Sequence, residues 1–539
     1  MAGVLLMISV ASARAGALPE RVATAANERI AAGFCPTLVF AVVDGDDSEI
    51  AAFGRLDDGR AADGDTVYEI GSITKTFTAT LLADAVRSGR LTLDAPVAGL
   101  LPDVRIPSRG GKEITLLDLA TQYSGLPRLP LNLLPVDAAN PYADYDAAKL
   151  KAFLADYQLP RDPGASYEYS NLGYGLLGYA LAQADRTTYP DLVDRKLLKP
   201  LGMAMTGVAL TDEMRAHLAP GHDASGKPVK DWDFDVLAGA GGLRSTANDM
   251  LRYLKANMQL TPPALAETIA TAQQPRRDAP NLGRIGLAWM TSANGVVWHN
   301  GGTGGYHSFL GMTADRKRGV VVLTNAAIDI DELGKAVLDD GAQLRTGLKI
   351  VTLPDAELDD YVGTYRLREG FLLKVFRKDG GLVTQATGQA VVPIFPSAAD
   401  SFFAKLVDAG ITFTRDAQGA VTGLVLRQNG DHWAPKLSPS EIPPEPQEIT
   451  PDAAVLSNYV GQYRFDFGAV LDVRLDGNGL KAQLTGQAAF PIFASAPDAF
   501  FYKVVEAQLH FEREQGSVVA VVLHQGGRDM RGTRIGSSP

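Results

Sequence analysis

Three short patterns carry the chemistry this chain can do. Ser72 stands three residues before Lys75 in Gly71-Ser72-Ile73-Thr74-Lys75, and no other serine is followed by lysine at that spacing. The run from Ile73 to Arg87 has a helical apolar face, so Lys75 falls about one turn from Ser72 and beside its hydroxyl. A serine there has a plain use, as a cap for exposed N–H groups. It has a chemical one as well. A hydroxyl becomes a nucleophile when a base is close, and a neutral lysine can take its proton. A charged lysine can instead lower the pKa of a nearby phenol, which otherwise titrates near ~10. The start of a helix also offers backbone N–H groups and positive potential to an oxyanion.

The phenol comes from Tyr169-Ser170-Asn171, where Tyr-x-Asn occurs once in the chain. In an extended segment Tyr169 and Asn171 point the same way. Tyr169 is then a general base for Ser72 and for water, and Asn171 a ligand for Lys75 and a substrate carbonyl. By itself the tripeptide reads equally as a loop tyrosine beside an Asn turn. His299-Asn300-Gly301-Gly302-Thr303-Gly304-Gly305 is the third pattern. His299 ends a short apolar strand, and the glycines let a substrate backbone approach. The context makes His299 a partner for a substrate carboxylate or for the Tyr–Lys pair. The Gly-rich run lacks the Lys-Ser/Thr ending of a phosphate loop, so nucleotide binding is rejected. The remaining histidines show no metal-ligand spacing, and neither metal nor cofactor is expected.

These residues need elements to hold them. Pro19 to Ala32 has helical spacing. Thr37 to Val43 and Glu49 to Phe53 read as strands joined by Asp44-Gly45-Asp46-Asp47. A helix-, Pro- and Gly-rich stretch runs from Ser72 to about Ala256. Within it Thr246 with Asp249 reads as a helix cap, and Gly239 to Gly242 as a turn. Strand character returns at Val296–His299, Ser308–Thr313 and Gly319–Thr324, and Glu332–Leu344 closes as a helix. The predicted fold is α+β. One antiparallel sheet is built from both ends of the region, helices flank it, the helical middle forms a second lobe, and the site lies between the lobes.

Beyond this region the chain repeats itself. Tyr361-Val-Gly-Thr-Tyr-Arg366 recurs as Tyr459-Val-Gly-Gln-Tyr-Arg464, Thr387-Gly-Gln389 as Thr485-Gly-Gln487, Pro393-Ile-Phe395 as Pro491-Ile-Phe493, and Phe413-Thr-Arg415 as Phe511-Glu-Arg513. The constant offset is 98 residues. Short alternating strands and Gly, Asp and Asn turns make each copy a small antiparallel β-barrel, lipocalin-like in kind. The expected division is a signal peptide over 1–15, a catalytic domain over 18–348, barrels over 349–437 and 451–539, and a Pro-rich linker over 438–450.

Composition narrows the partners. The net charge of −11 argues against nucleic acid and anionic membrane surfaces. A single cysteine, Cys35, excludes an internal disulfide, and its apolar context makes it an inert core thiol. Gly3 to Ala11 followed by Ala13-Arg14-Ala15 reads as an export signal without its charged leader, which predicts a periplasmic or secreted protein. No other stretch is long and apolar enough to span a bilayer.

Taken in order, the three patterns resemble the serine β-lactamase and penicillin-binding-protein family. Class C β-lactamases, D-alanyl carboxypeptidases, D-aminopeptidases and related esterases are its most similar branches. The framework agrees at Leu116–Pro127, Pro163–Gly178, Pro200-Leu-Gly-Met203, Gly241–Thr246 and Leu323-Thr-Asn325, so the resemblance covers about residues 25 to 345. It implies an acyl-enzyme on Ser72, proton transfer by Lys75 and Tyr169, and substrate binding by Asn171, His299 and Gly301. It also implies an oxyanion hole from the N–H groups of Ser72 and Gly302. His299 stands where class C β-lactamases have lysine, which favours D-aminopeptidase or D-alanyl carboxypeptidase chemistry over a β-lactamase or carboxylesterase. A layout with two barrels is similar to D-aminopeptidases, where a barrel loop reaches the active site; otherwise the barrels stabilise the chain or join it into a homodimer. The expected substrate is a small peptide, lactam or ester. A reading from another class is a non-catalytic protein that holds cell-wall peptides.

Overall fold

The computed structural model describes residues 17–260, 265–346, 349–387, 389, 391–407, 409–428, 430–442, 447–465, 469–484, 489–503, 507–525 and 528–536. The expected export signal, the Thr485-Gly-Gln487 motif and part of the linker lie outside them.

The first region is an eight-stranded antiparallel sheet with helices on both faces. Its strands are β1 (Thr37–Asp44), β2 (Asp47–Gly54), β3 (Arg277–Ala279), β4 (Gly283–Ile285), β5 (Met290–Thr291), β6 (Val297–Gly302), β7 (His307–Met312) and β8 (Arg318–Thr324). They lie in the order β2-β1-β8-β7-β6-β5-β4-β3, so both ends of the region meet at the β1–β8 pair. Apolar runs such as Thr-Leu-Val-Phe-Ala-Val-Val make this possible. Successive side chains of a strand face opposite ways, and here both faces are covered. Val39, Ala41 and Val43 join one core together with Val321 and Leu323. Leu38, Phe40 and Val42 join the other with Val320 and Val322.

Helix α1 (Glu20–Ala31) and the closing helix α5 (Asp331–Leu338) cover the second face. The first face packs on α2 (Thr74–Arg87) and α4 (Ala247–Asn257), and Thr246 caps α4 by accepting the Asp249 N–H. Helix α3 (Asn171–Ala184) is apolar nearly all round and is buried in this lobe. Among the described residues no helix is long and apolar enough to cross a membrane.

Two eight-stranded antiparallel sheets follow. The second closes fully, with Gly461–Phe465 pairing Arg528–Gly536. The first is nearly closed, its ends joined by the Tyr365–Lys436 bridge and by Leu437 N–H donating to Thr364 O at 2.8 Å. The repeated motifs are the ones that pack and brace these barrels. Tyr365 Oη donates to Tyr361 O at 2.7 Å, and Tyr463 repeats this with Tyr459. Arg415 bonds Asp400 at 2.8 Å, and Arg513 repeats it with Asp498 at 2.7 Å.

The first barrel is seated on the α1 side of the first region. Phe403 stacks on Phe34 with centroids 4.9 Å apart, and Lys405 Nζ donates to Gly33 O at 2.9 Å. Lys405 O in turn accepts the Asp329 N–H at 3.0 Å.

Candidate active site

The sequence from Ile70 to Lys75 makes a tight 3-10 turn, Gly71–Ile73, that runs directly into α2. Gly71 has φ +48°, and a Cβ there would come within 2.8 Å of Gly302 N. Gly301 faces the same squeeze from the other side. A Cβ on it would lie 2.1 Å from Ile70 O and 2.9 Å from Ser72 N. Only glycine lets the end of β6 lie against the backbone of Ser72. Ser308 Oγ ties the two together by donating to Ile70 O at 2.9 Å.

This brings two backbone N–H groups side by side. Ser72 N is in the first turn of a helix, where N–H groups lack helical acceptors. Thr303 N–H bonds Tyr306 O across the β6–β7 hairpin. Antiparallel alternation therefore turns the Gly302 N–H away from β7.

Lys75 is fully buried and makes three polar contacts. Its Nζ lies 2.8 Å from Ser72 Oγ, and it donates to Asn171 Oδ1 at 2.8 Å and to Ala240 O at 2.6 Å. Burial, helped by the nearby Arg128 charge, holds its pKa well below the usual lysine range. In the neutral amine that this depression favours, the two carbonyl acceptors would use both hydrogens and leave the lone pair for Ser72.

Asn171 reaches Lys75 because Ser170 is the N-cap of α3, extended in backbone and accepting the Gly173 N–H at 2.8 Å. Tyr169, one residue earlier, faces Ser72. Burial raises its pKa to about 12, against the pull of its hydrogen bond to Ser72. Lys75 Nζ stands 4.9 Å from the Tyr169 ring centroid, and Arg128 Cζ stands 5.1 Å from it.

His299 lies on β6, 3% exposed. Burial above all lowers its pKa to about 4, so the ring is neutral at pH 7. Nδ1 is 2.6 Å from Asn300 O, which fixes its hydrogen there, and the buried Nε2 has no partner. A neutral ring with a bare acceptor is a poor carboxylate ligand, which removes one of the two uses expected for His299. Asn300 faces the other way. Its Nδ2 donates to Asp331 Oδ2 at 2.7 Å, while Asp331 Oδ1 lies 3.1 Å from His307 Nε2.

Ser72, Tyr169, Asn171, His299, Gly301 and Gly302 all line one cleft of about 980 Å³. Lys75 is behind its wall. Every residue found to line the cleft lies between Ser72 and Ala342. The barrel loop expected at the site is therefore not among the described lining residues; the first barrel is held instead at Phe34 and Gly33. Lining residues missed in the sequence include Arg128, Tyr142, Trp232 and Asp331. None belongs to a motif, and each has a long-range contact: Arg128 O with Asn171 N–H, Tyr142 with Trp232, Trp232 N–H with Glu69, and Asp331 with Asn300. His307, Asp329 and Asp331 are close enough to hold a cation, but His307 and Asp331 already bond each other and Asn300.

Residues 22–340 match the family described as Beta-lactamase. The chain belongs to that family. Residues 349–440 and 445–534 each match a domain of unknown function, DUF3471. The chain is 32% identical over 195 residues to a beta-lactamase of Pseudomonas fluorescens, covering 36% of this chain and 51% of that one. It is 28% identical over 311 residues to the D-alanyl-D-alanine-carboxypeptidase/endopeptidase AmpH of Escherichia coli strain K12, covering 53% and 78%. It thus spans about half the length of the first relative and over three quarters of the second. A solved class C beta lactamase from Rhodobacter sphaeroides superposes with a TM-score of 0.51 at 25% identity, over 59% of this chain and 97% of that one.

Proposed function

We propose that the protein is a serine hydrolase that acts through an acyl-enzyme on Ser72, with peptide substrates that carry a D-configured residue. The observation that supports this most is the Lys75 amine. It is buried, close to Ser72 Oγ, and has two carbonyl acceptors for its hydrogens.

The Ser72 hydroxyl gives its proton to Lys75 as Oγ bonds the substrate carbonyl carbon. The carbonyl oxygen takes the negative charge against the N–H groups of Ser72 and Gly302. As the tetrahedral species collapses, the C–N bond breaks and the leaving amine takes a proton from Tyr169, which Lys75 re-supplies. A phenol with its pKa raised to about 12 is protonated at neutral pH and suits the donor role first. Water then adds to the ester by the same groups in reverse, and Ser72 leaves with its proton. Asn171 holds Lys75 in place, and His299 Nε2 accepts a hydrogen bond from a substrate N–H.

The likeness to AmpH favours D-alanyl carboxypeptidase chemistry, and histidine at position 299 in place of lysine favours D-aminopeptidase chemistry. The apolar stretch near the N-terminus favours a periplasmic site for either. The discriminating assay compares D-alanine p-nitroanilide, an N-acylated D-alanyl-D-alanine peptide and benzylpenicillin, each with wild type and Ser72→Ala. Ser72-dependent turnover of either peptide substrate in excess of the lactam is expected. Turnover of none, or turnover that survives Ser72→Ala, contradicts the proposal.

A further inference from the structure

The cleft has a charge that the proposed mechanism leaves unused. Arg128 follows Pro127 in a loop of the helical lobe and is exposed at the cleft wall. Its guanidinium carbon stands 5.1 Å from the Tyr169 ring centroid, on a ring that also meets Lys75 and Ser72. Among the described residues Arg128 has no ion pair and no side-chain hydrogen bond. Stacking on an aromatic ring occupies the face of a guanidinium and leaves its in-plane N–H donors free.

The other charged groups along the cleft are bonded already or lie on the closing helix, away from the Ser72 end of β6; Asp339 Oδ1, for one, accepts the Gly341 N–H at 2.9 Å. Asp331 is bonded by Asn300 and faces His307, and Lys335 lies over the Trp298 ring at 5.7 Å. Lys75, behind the wall, is turned to Ser72, Asn171 and Ala240 O. His299 presents a bare Nε2 acceptor, which repels an anion. Among the described residues that line the cleft, the cation in contact with the Tyr169 ring and free to meet a substrate there is Arg128.

We infer that Arg128 is the specificity-determining residue of this cleft and binds a substrate carboxylate through its free N–H edge, while His299 does not. The inference rests on the acyl-enzyme reading above and assigns its substrates a negative charge close to the scissile carbonyl. A carboxylate held by two parallel N–H donors gains position as well as energy, which a lone lysine would not give. Arg128 also lowers the Tyr169 and Lys75 pKa values through its field. That effect is common to all substrates, whereas carboxylate binding is selective.

The test uses two matched pairs of esters with the full-length protein. p-Nitrophenyl hemisuccinate against p-nitrophenyl butyrate places the charge on the acyl side. 3-Carboxyphenyl acetate against phenyl acetate places it on the leaving side. Wild type is expected to favour the charged member of at least one pair in kcat/KM, mainly through KM. Arg128→Gln should cut that preference by roughly 10- to 100-fold, the usual worth of a hydrogen bond to a charged group, and Arg128→Lys should restore part of it. A wild type with no preference in either pair overturns the inference, and so does a preference unchanged in Arg128→Gln. If Ser72→Ala hydrolyses the esters as fast as wild type, or no ester acylates the wild type, the acyl-enzyme reading fails instead.

Discussion

Two regions of this molecule bury a lysine, and they use it differently. In the cleft, Lys75 sits among one hydroxyl and two carbonyl oxygens, beside an opening. At the seam of the first barrel, Lys405 donates to Gly33 O and lies 4.2 Å from the Phe395 ring centroid and 5.1 Å from that of Phe34. Burial depresses both pKa values, that of Lys405 to about 8. A depressed lysine is therefore not by itself a sign of catalysis. The difference is the neighbour: Lys75 has a hydroxyl within reach and a cleft before it, while Lys405 has aromatic rings and backbone.

The second barrel supplies the control. Lys503 occupies the repeat position of Lys405 and Phe493 that of Phe395, with Lys503 Nζ 3.9 Å from the ring centroid. Lys405 is 5% exposed, whereas the Lys503 side chain is 49% exposed and pairs with Glu448 at 2.6 Å. The position equivalent to Glu448 in the first barrel is Ile350. One surface docks and is apolar around its lysine; its copy meets solvent and carries a counter-charge.

The comparison can be broken most sharply at the two buried amines. Lys75→Met should lower the rate of acylation by roughly a thousandfold or more, in line with loss of a general base, without shifting the melting temperature downward. Lys405→Met should leave acylation unchanged. Stopped-flow ester hydrolysis and thermal melts of both variants decide it, and an acylation defect in Lys405→Met would erase the distinction.

Next in size is a pH effect at the seam. Lys405 has a folded-state pKa below its unfolded value, so between about 8 and 10.5 the unfolded chain binds the proton and the folded chain does not. Stability of the wild type relative to Lys405→Met should rise with pH across that window, by up to about 3 kcal/mol, and be flat below it. Urea unfolding at stepped pH measures this. The smallest effect belongs to Lys503→Met, whose exposed pair with Glu448 should be worth about 0.5 kcal/mol or less at any pH. A seam-like pH dependence there would mean that the second barrel's surface is also covered in solution.

The sequence carried the local part of the site well. Ser72 with Lys75, and Tyr169 with Asn171, are neighbours along the chain, so spacing alone places each pair. What spacing could not carry is contact across it. Ala240 O meets Lys75 from 165 residues away, and Asp331 meets Asn300 from the start of the closing helix. The Gly239–Gly242 turn is instead the short helix Ala238–Gly241, because close packing on α3, where a Cβ on Gly239 would lie 2.9 Å from Gly178 Cα, outweighs glycine's low helix propensity. The closing helix expected to Leu344 ends at Leu338. Asp339 and Asp340 follow there, and acidic residues are unfavourable at the negative end of a helix. The neutrality of His299 was hidden for a related reason, since it depends above all on burial by distant segments. In the barrels the repeat itself exposed the architecture, but not which copy docks.

The central claim is that Ser72 becomes covalently acylated. Wild type and Ser72→Ala would be mixed with p-nitrophenyl hemisuccinate, quenched in acid on the millisecond-to-second scale, and read by intact mass and peptide mapping. The account predicts a succinyl adduct on the peptide that contains Ser72 and none in the variant. Succinylation elsewhere, or ester hydrolysis with no adduct in wild type and full activity in Ser72→Ala, would contradict it.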